Sequence, residues 1–397
     1  MTGAIAGLKV LEVGQWVAAP YCTAILADLG ADVIKVERPG RGDDQRLSPP
    51  YAAGQSALFN QMNRNKRSVV LDLDSAEGRA VCVDLAVAAD VVVSNFRPGT
   101  IDRLGLGYAA LAARNPRLVY TLITGFGTAG PLAERAGMDL IAQAMSGMML
   151  LAASPEGRPG RVPMAAADIS TGLYATIGIL AALAARERTG RGQVVDLALL
   201  DSMLAMMPME TGGYFATGRN PPRYHRRETA NAAPYNVFAT ADGFVTVVAA
   251  AQPLWEALCR VIGREDLNAD PRFCGSGERI RHVKELEAVL APIFQADTSA
   301  NWLARMDAAR IPCSPVLELE EILTHPHLAA RATHVEPPQG PARAQRVVAA
   351  PIRMSDTPVH VHRSAPSHGQ DTDAVLAKLR AGATWPAMEA QDDARKL

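Results

Sequence analysis

LKVLEVGQWVAAPYCTAILADLGADVIKVE, residues 8–37, reads as strand, turn, helix and strand in thirty residues. Lys9–Gly14 is short, apolar and β-branched, a helix is expected over Tyr21–Leu29, and Asp32–Glu37 repeats the strand composition. A helix between two such strands is the crossover that parallel pairing needs. The alternation continues outward with Ser68–Leu73 (SVVLDL), a helix over Ala76–Ala88, Asp90–Asn95 (DVVVSN) and Leu118–Thr124 (LVYTLIT). An α/β fold with a parallel sheet is therefore expected.

Two long helices are predicted next, over Asp139–Leu151 (DLIAQAMSGMMLL) and Thr171–Arg186 (TGLYATIGILAALAAR). The second is apolar nearly all round, so it belongs in a core or a subunit interface. GRGQVVDLALL supplies a further strand. Residues 208–234, rich in Gly, Pro and Arg, read as a linker. Tyr235–Ala250 reads as a hairpin turned at Ala-Asp-Gly, and helices are expected over 253–330. Apolar runs return at 340–380, and the residues after Trp385 read as a frayed end. The expected organisation is 1–207 as the first part of a large domain, 208–234 as linker, 235–330 as a small α+β domain, and 331–397 as a return to the large domain.

The chain has 397 residues, which at roughly 150 per domain favours two or three domains. Forty Lys and Arg against 41 Asp and Glu leave a net charge of −1, so no bulk field draws it to nucleic acid or an anionic membrane. The longest apolar run, Gly172–Ala185, falls short of the roughly 18–20 residues of a membrane span. The N-terminus lacks a basic segment followed by an apolar one, and five dispersed cysteines form no CxxC pair, so a reduced, cytoplasmic protein is expected. All eight histidines lie in the last 173 residues, so chemistry in the N-terminal half must run without a local imidazole.

GxxxxGK[ST], GxSxG and HExxH are absent, and the first βα turn, Gly14–Pro20, is not GxGxxG. His325-Pro-His327 has no third ligand nearby, so no metal is expected. The segments that remain are NRNKRSVVLDLDSAEG, NFRPGTIDRLGLGY, TGFGTAGP, ADISTGLYATIGILAALAARERTGRGQVVDLALLDS, APYNVFATADG, IPCSPVLELEEILTHPHLAAR and HGQDTDAVLAKL. With residues 8–43 before them, and in this order, they resemble the class III coenzyme A transferases. That family includes formyl-CoA:oxalate and carnitine CoA-transferases and is related to the α-methylacyl-CoA racemases.

The resemblance implies a Rossmann-like large domain built from both chain ends, a smaller inserted domain and an interlocked homodimer. It implies that Asp168 is a nucleophile that attacks an acyl-CoA thioester, with the CoA then passed to a carboxylic acid. A carboxylate with a pKa of about 4 is already ionised at neutral pH and needs no histidine. Local sequence alone makes Asp168 an N-cap, and the two roles are compatible. The related racemases carry a histidine in a Gly-His-Asp triplet; here the triplet is Gly137-Met138-Asp139, which removes one of the two bases.

Family positions that hold CoA fall on Val17, Ala18, Arg38, Leu71, Asp72, Leu73, Asp74, Asn95, Phe96, Arg97, Arg103, Ala136, Gly137, Met138 and Asp139. CoA is a substrate in this picture, with no prosthetic group. Arg38 and Arg103 suit its phosphates, and Lys66-Arg67 is a second basic pair with structural and functional readings both open. Oxalate-using members carry Gln where Val17 stands and a glycine-rich lid where this chain has Thr229–Pro234, which points away from oxalate. Arg223, His225, Arg226 and Arg227 form a basic cluster suited either to a second carboxylate or to a solvated linker.

Overall fold

A computed structural model of the chain describes residues 3–52, 54–223, 232–338, 340–341 and 345–388. Two compact units emerge: Met1–Ala152, Pro159–Asn220 and Arg331–Leu397 in the first, Ala153–Arg158 and Pro221–Ala330 in the second.

The first unit is built on six parallel strands: β1 (Lys9–Val13), β2 (Asp32–Glu37), β3 (Arg67–Val70), β4 (Val91–Ser94), β5 (Val119–Thr124) and β6 (Val194–Ala198). Their order across the sheet is β3-β2-β1-β4-β5-β6. Burial on both faces of the inner strands β1, β2, β4 and β5 matches their mostly apolar composition, while Val194 of the edge strand β6 is exposed. The two-residue period divides them: Val10, Val33, Val91 and Val93 face one core, Leu11, Val13, Ile34 and Val92 the other. The first core is covered by α1 (Ala18–Asp28), the second by α2 (Ala76–Ala88). Strand order reverses between β1 and β4, and in open parallel sheets of this order ligands bind in the crevice at the carboxyl ends of those strands.

The helix expected over Asp139–Leu151 is two, α3 (Asp139–Met145) and a turn at Met148–Leu151, because Gly147 between them takes φ 87°. The following helix, α4 (Ala166–Thr189), is longer than its apolar run. Its 24 residues are long and apolar enough to cross a membrane by length and composition, which corrects the reading of that run as too short. It is nevertheless a core helix of this unit: Ala175, Ile179 and Ala182 pack with α1 and the sheet, and Arg186 pairs with Asp90 at 3.2 Å. Leu173 and Ile177 on its other side are exposed.

Residues 208–234 are not linker throughout. Pro208–Thr217 is a helix, with Pro at its first position and Gly218 at φ 67° ending it, so residues that read as loop signals punctuate a helix instead. His225–Arg227 of the basic cluster and Thr229–Asn231 lie outside the described residues, as does the end of the chain from residue 389.

The C-terminal segment adds no described strand to the large sheet. Val347–Val348 pairs only with His334–Val335, and Thr372–Arg380 forms a helix beside β3. Ser68 N donates to Asp371 Oδ2 at 2.9 Å and Val70 N to Thr372 Oγ1 at 3.0 Å, while Trp385 Nε1 reaches Asp32 at 2.8 Å.

The second unit holds a three-stranded antiparallel sheet of β7 (Tyr235–Ala239), β8 (Phe244–Val248) and β9 (Cys313–Pro315). Helices Gln252–Val261, Val283–Gln295 and Ser299–Ala308 bury Trp255, Leu286, Phe294 and Trp302 against it.

Candidate active site

At the carboxyl end of β1 the chain turns through Gly14, Gln15 and Trp16, and side chains hold this turn at every residue. Lys35 Nζ donates to Gly14 O at 2.9 Å. Asn95, just past β4, accepts from Gln15 N at 3.0 Å and donates to Gln15 O at 2.7 Å. Asp43 Oδ1 accepts from Trp16 N at 3.1 Å. Beneath the turn, Lys35 bridges Glu12 at 2.6 Å and Asp43 at 2.8 Å, and Lys66 reaches the other Glu12 oxygen at 2.8 Å, all fully buried or nearly so. Burial opposes both charges, but Lys35 and Lys66 hold the Glu12 carboxyl low, and Asp43 and Glu12 hold Lys35 protonated.

Asp168 lies in the first turn of α4, at its third residue. Ala165 occupies the N-cap position without a side-chain bond, so Asp168 does not cap the helix. Asp139 bonds an amide of that turn instead: its Oδ1 accepts from Ala167 N at 2.8 Å, and its Oδ2 accepts from Gln143 at 2.8 Å. Buried Gln143 also accepts from Val162 N at 3.0 Å and donates to Met164 O at 3.2 Å, fixing the chain that enters α4. One turn beyond Asp168, on the same face, is Gly172; a Cβ there would sit 2.9 Å from Ala18 O. The start of α4 thus lies against the first turn of α1, at the crevice between β1 and β4. Burial, and secondly the charge of Asp139, push the Asp168 carboxyl up to about 7. That corrects the expectation of a carboxyl near 4, fully ionised at neutral pH.

A model of the CoA-transferase family III matches residues 5–372. The chain belongs to that family. A succinate–glutarate CoA-transferase of Agrobacterium fabrum is 36% identical over 382 residues, 94% of this chain and 95% of the relative. An acetyl-CoA:oxalate CoA-transferase of Acetobacter aceti is 40% identical over 330 residues, 83% and 85% of the two chains. The crystal structure of a CAIB/BAIF family protein from Brucella suis matches with a TM-score of 0.86 at 35% identity, covering 96% of this chain and 100% of that one. The protein is a CoA-transferase working through an aspartate, with acyl-CoA as substrate and no prosthetic group implied by the family. A racemase is not favoured, since Met138 cannot exchange a proton.

The transferase brings most of its expected CoA residues to the carboxyl ends of the strands, in different states. Ala18 is buried and Val17 half-buried in the first βα turn. Arg38 is half-exposed after β2 and ion-paired to Asp44, with its Nε on Gly42 O at 3.0 Å. Leu71 lies in the core, so only its backbone is available to a ligand, and Leu73 packs beside it. Asp72 and Asp74 are exposed, and Asp72 Oδ1 accepts from Asp74 N at 3.0 Å. The side-chain amide of Asn95 is engaged with Gln15, while Phe96 packs against the core beside it. Arg97 and Arg103 are exposed at the two ends of helix Pro98–Arg103. Ala136 and Met138 are exposed around Gly137, where a Cβ would lie 2.5 Å from the Gly125 Cα.

Lys66 and Arg67 resolve to the structural reading. Lys66 is enclosed with Glu12, and Arg67 pairs with Asp32 at 2.7 Å. Sequence reading missed the roles of Asp43, although the first family-like segment ends on it, and of Gln143, which carries no motif signal. It also passed over Glu12 and Lys35, although a charge inside each of two apolar strands marks them as partners; β1 and β2 pair these residues directly.

Proposed function

We propose that Asp168 is the nucleophile of a cytoplasmic transferase that moves CoA from an acyl-CoA to a dicarboxylic acid. The observation that carries this is a partly buried carboxyl in the helix turn packed against the start of α1, beside the β1–β4 crevice. Its ionised oxygen attacks the thioester carbonyl, the C–S bond breaks, and CoA thiolate leaves a mixed anhydride. The thiolate then attacks the aspartyl carbonyl, releasing the donor's carboxylate and leaving an aspartyl-CoA thioester. An acceptor carboxylate displaces the thiolate as a new anhydride, and thiolate attack on the acceptor's carbonyl frees Asp168. Each step exchanges one acyl-oxygen or acyl-sulfur bond for another, so no imidazole is required.

In this reading the CoA phosphates meet Arg38, Arg97 and Arg103, since arginine suits planar, bidentate phosphate contact. Asp72 and Asp74 would repel phosphate, so any contact there runs to the ribose or through backbone. The acceptor class is carried over from relatives named for glutarate, oxalate and mesaconate, all dicarboxylic acids. Val17 and the absence of a glycine-rich lid favour an acceptor longer than oxalate. An interlocked homodimer accounts for large apolar side chains left exposed in the first unit, among them Met138, Ile177, Met209 and Phe215.

The test is intact-protein mass spectrometry after incubation with a panel of acyl-CoA thioesters, wild type beside Asp168→Ala. A CoA or acyl adduct on the peptide carrying Asp168, absent from the variant, is expected. Alpha-proton exchange in deuterated water without any adduct would overturn the reading.

A further inference from the structure

Trp16 is held in the left-handed region, at φ 67°, which a bulky residue adopts only where its surroundings enforce it. The enforcement is visible: Lys35 on Gly14 O, Asn95 on both backbone groups of Gln15, and Asp43 on Trp16 N. A turn that only reversed the chain would put glycine or asparagine there and need no such set of clamps. Instead Trp16 is 39% exposed, at the strand end where the sheet order reverses. Such strain, held by buried charges, presents a rigid aromatic face with little left to order on binding.

We infer that Trp16 is an acyl-CoA contact whose indole lies along the pantetheine–thioester end of the bound substrate rather than on its adenine. Trp16 is two residues from Ala18, whose carbonyl lies against Gly172, one helical turn from Asp168. The exposed arginines suited to phosphates stand instead after β2 and β4. The inference rests on the CoA site proposed above and adds a residue that site did not include.

The other three tryptophans, Trp255, Trp302 and Trp385, are buried, so iodide quenching of the red edge of the emission reads Trp16 alone. CoA and adenosine 3′,5′-bisphosphate are the probes, and calorimetry records binding of each independently of fluorescence. CoA is expected to cut iodide quenching by about three-fold, as stacking shields the ring. The bisphosphate should bind and leave quenching unchanged, and the CoA effect should vanish in Trp16→Phe. An indole already shielded from iodide without CoA overturns the inference. So does CoA that binds by calorimetry without protecting Trp16, or equal protection by the bisphosphate, which would put the ring on the adenine. Failure of CoA to bind at all would overturn the proposed site and this inference together.

Discussion

Burial and the nearby charge of Asp139 both raise the Asp168 carboxyl, and the consequences can be read in both rate and stability. With the Asp168 carboxyl pushed up to about 7, the proposed nucleophile is only partly ionised at neutral pH. Single-turnover release of CoA thiolate from an acyl-CoA is therefore expected to rise with pH through about 7 and then level. Asp139→Asn keeps an oxygen for Ala167 N but removes the charge, so the midpoint should move to lower pH; an unchanged midpoint would remove Asp139 as a cause. Stability runs the other way. The folded carboxyl binds its proton more tightly than the unfolded one, so the stabilisation is complete below about pH 4 and is lost as pH rises through about 7. Asp168→Asn should therefore melt higher than wild type at pH 8, by on the order of 1 kcal/mol because the group is partly reached by solvent, and the difference should shrink towards pH 4. Thermal melts at the two pH values check it.

Among the elements, the contact between α1 and α4 positions the proposed nucleophile, and glycine makes it possible. A Cβ at position 172 would meet Ala18 O at 2.9 Å and the Tyr21 ring at 3.1 Å, so Gly172→Ala must push the helices apart. Overpacking of this kind costs about 1–3 kcal/mol. Denaturant melts should show that loss, and CoA release should slow more than donor affinity falls, because the nucleophile moves while the phosphate contacts stay. The inner strands were legible in sequence because their apolar composition agrees with burial on both faces, and α2 because its buried side carries Cys82, Leu85 and Ala86 at helical spacing. The role proposed for Asp168 came only through resemblance. Its local signal, an acid at the start of an apolar helix, pointed to a cap, yet the amide of Ala167 is taken by Asp139, 28 residues away. The break at Gly147 and the helix at Pro208–Thr217 were misread for a common reason: glycine and proline mark helix ends as readily as loops. The clamps on the first βα turn were illegible because Asp43 and Asn95 reach it from loops after other strands.

At the scale of the whole molecule, the first unit depends on chain that is distant in sequence. Asp28, at the end of α1, is buried, and it binds Arg64 at 2.6 Å, Asn65 at 2.9 Å and the Ala350 amide at 2.9 Å. Asn65 in turn donates to His360 O and accepts from His362 N and Arg363 N. A single carboxylate thus ties the N-terminal βαβ unit to the segment beyond residue 331. Removing one partner of a buried ion pair leaves the other charge uncompensated, at a cost of about 3–5 kcal/mol. Asp28→Ala is expected to lose that much in urea melts, since Arg64 keeps its charge and Ala350 N loses its acceptor. Arg64→Met should cost less than Asp28→Ala, because Asp28 then still accepts from Asn65 and Ala350. If the two variants lost equally, the ion pair would carry the whole effect. The larger loss in Asp28→Ala is what a junction between the chain ends requires, because only that substitution severs Ala350 as well as Arg64.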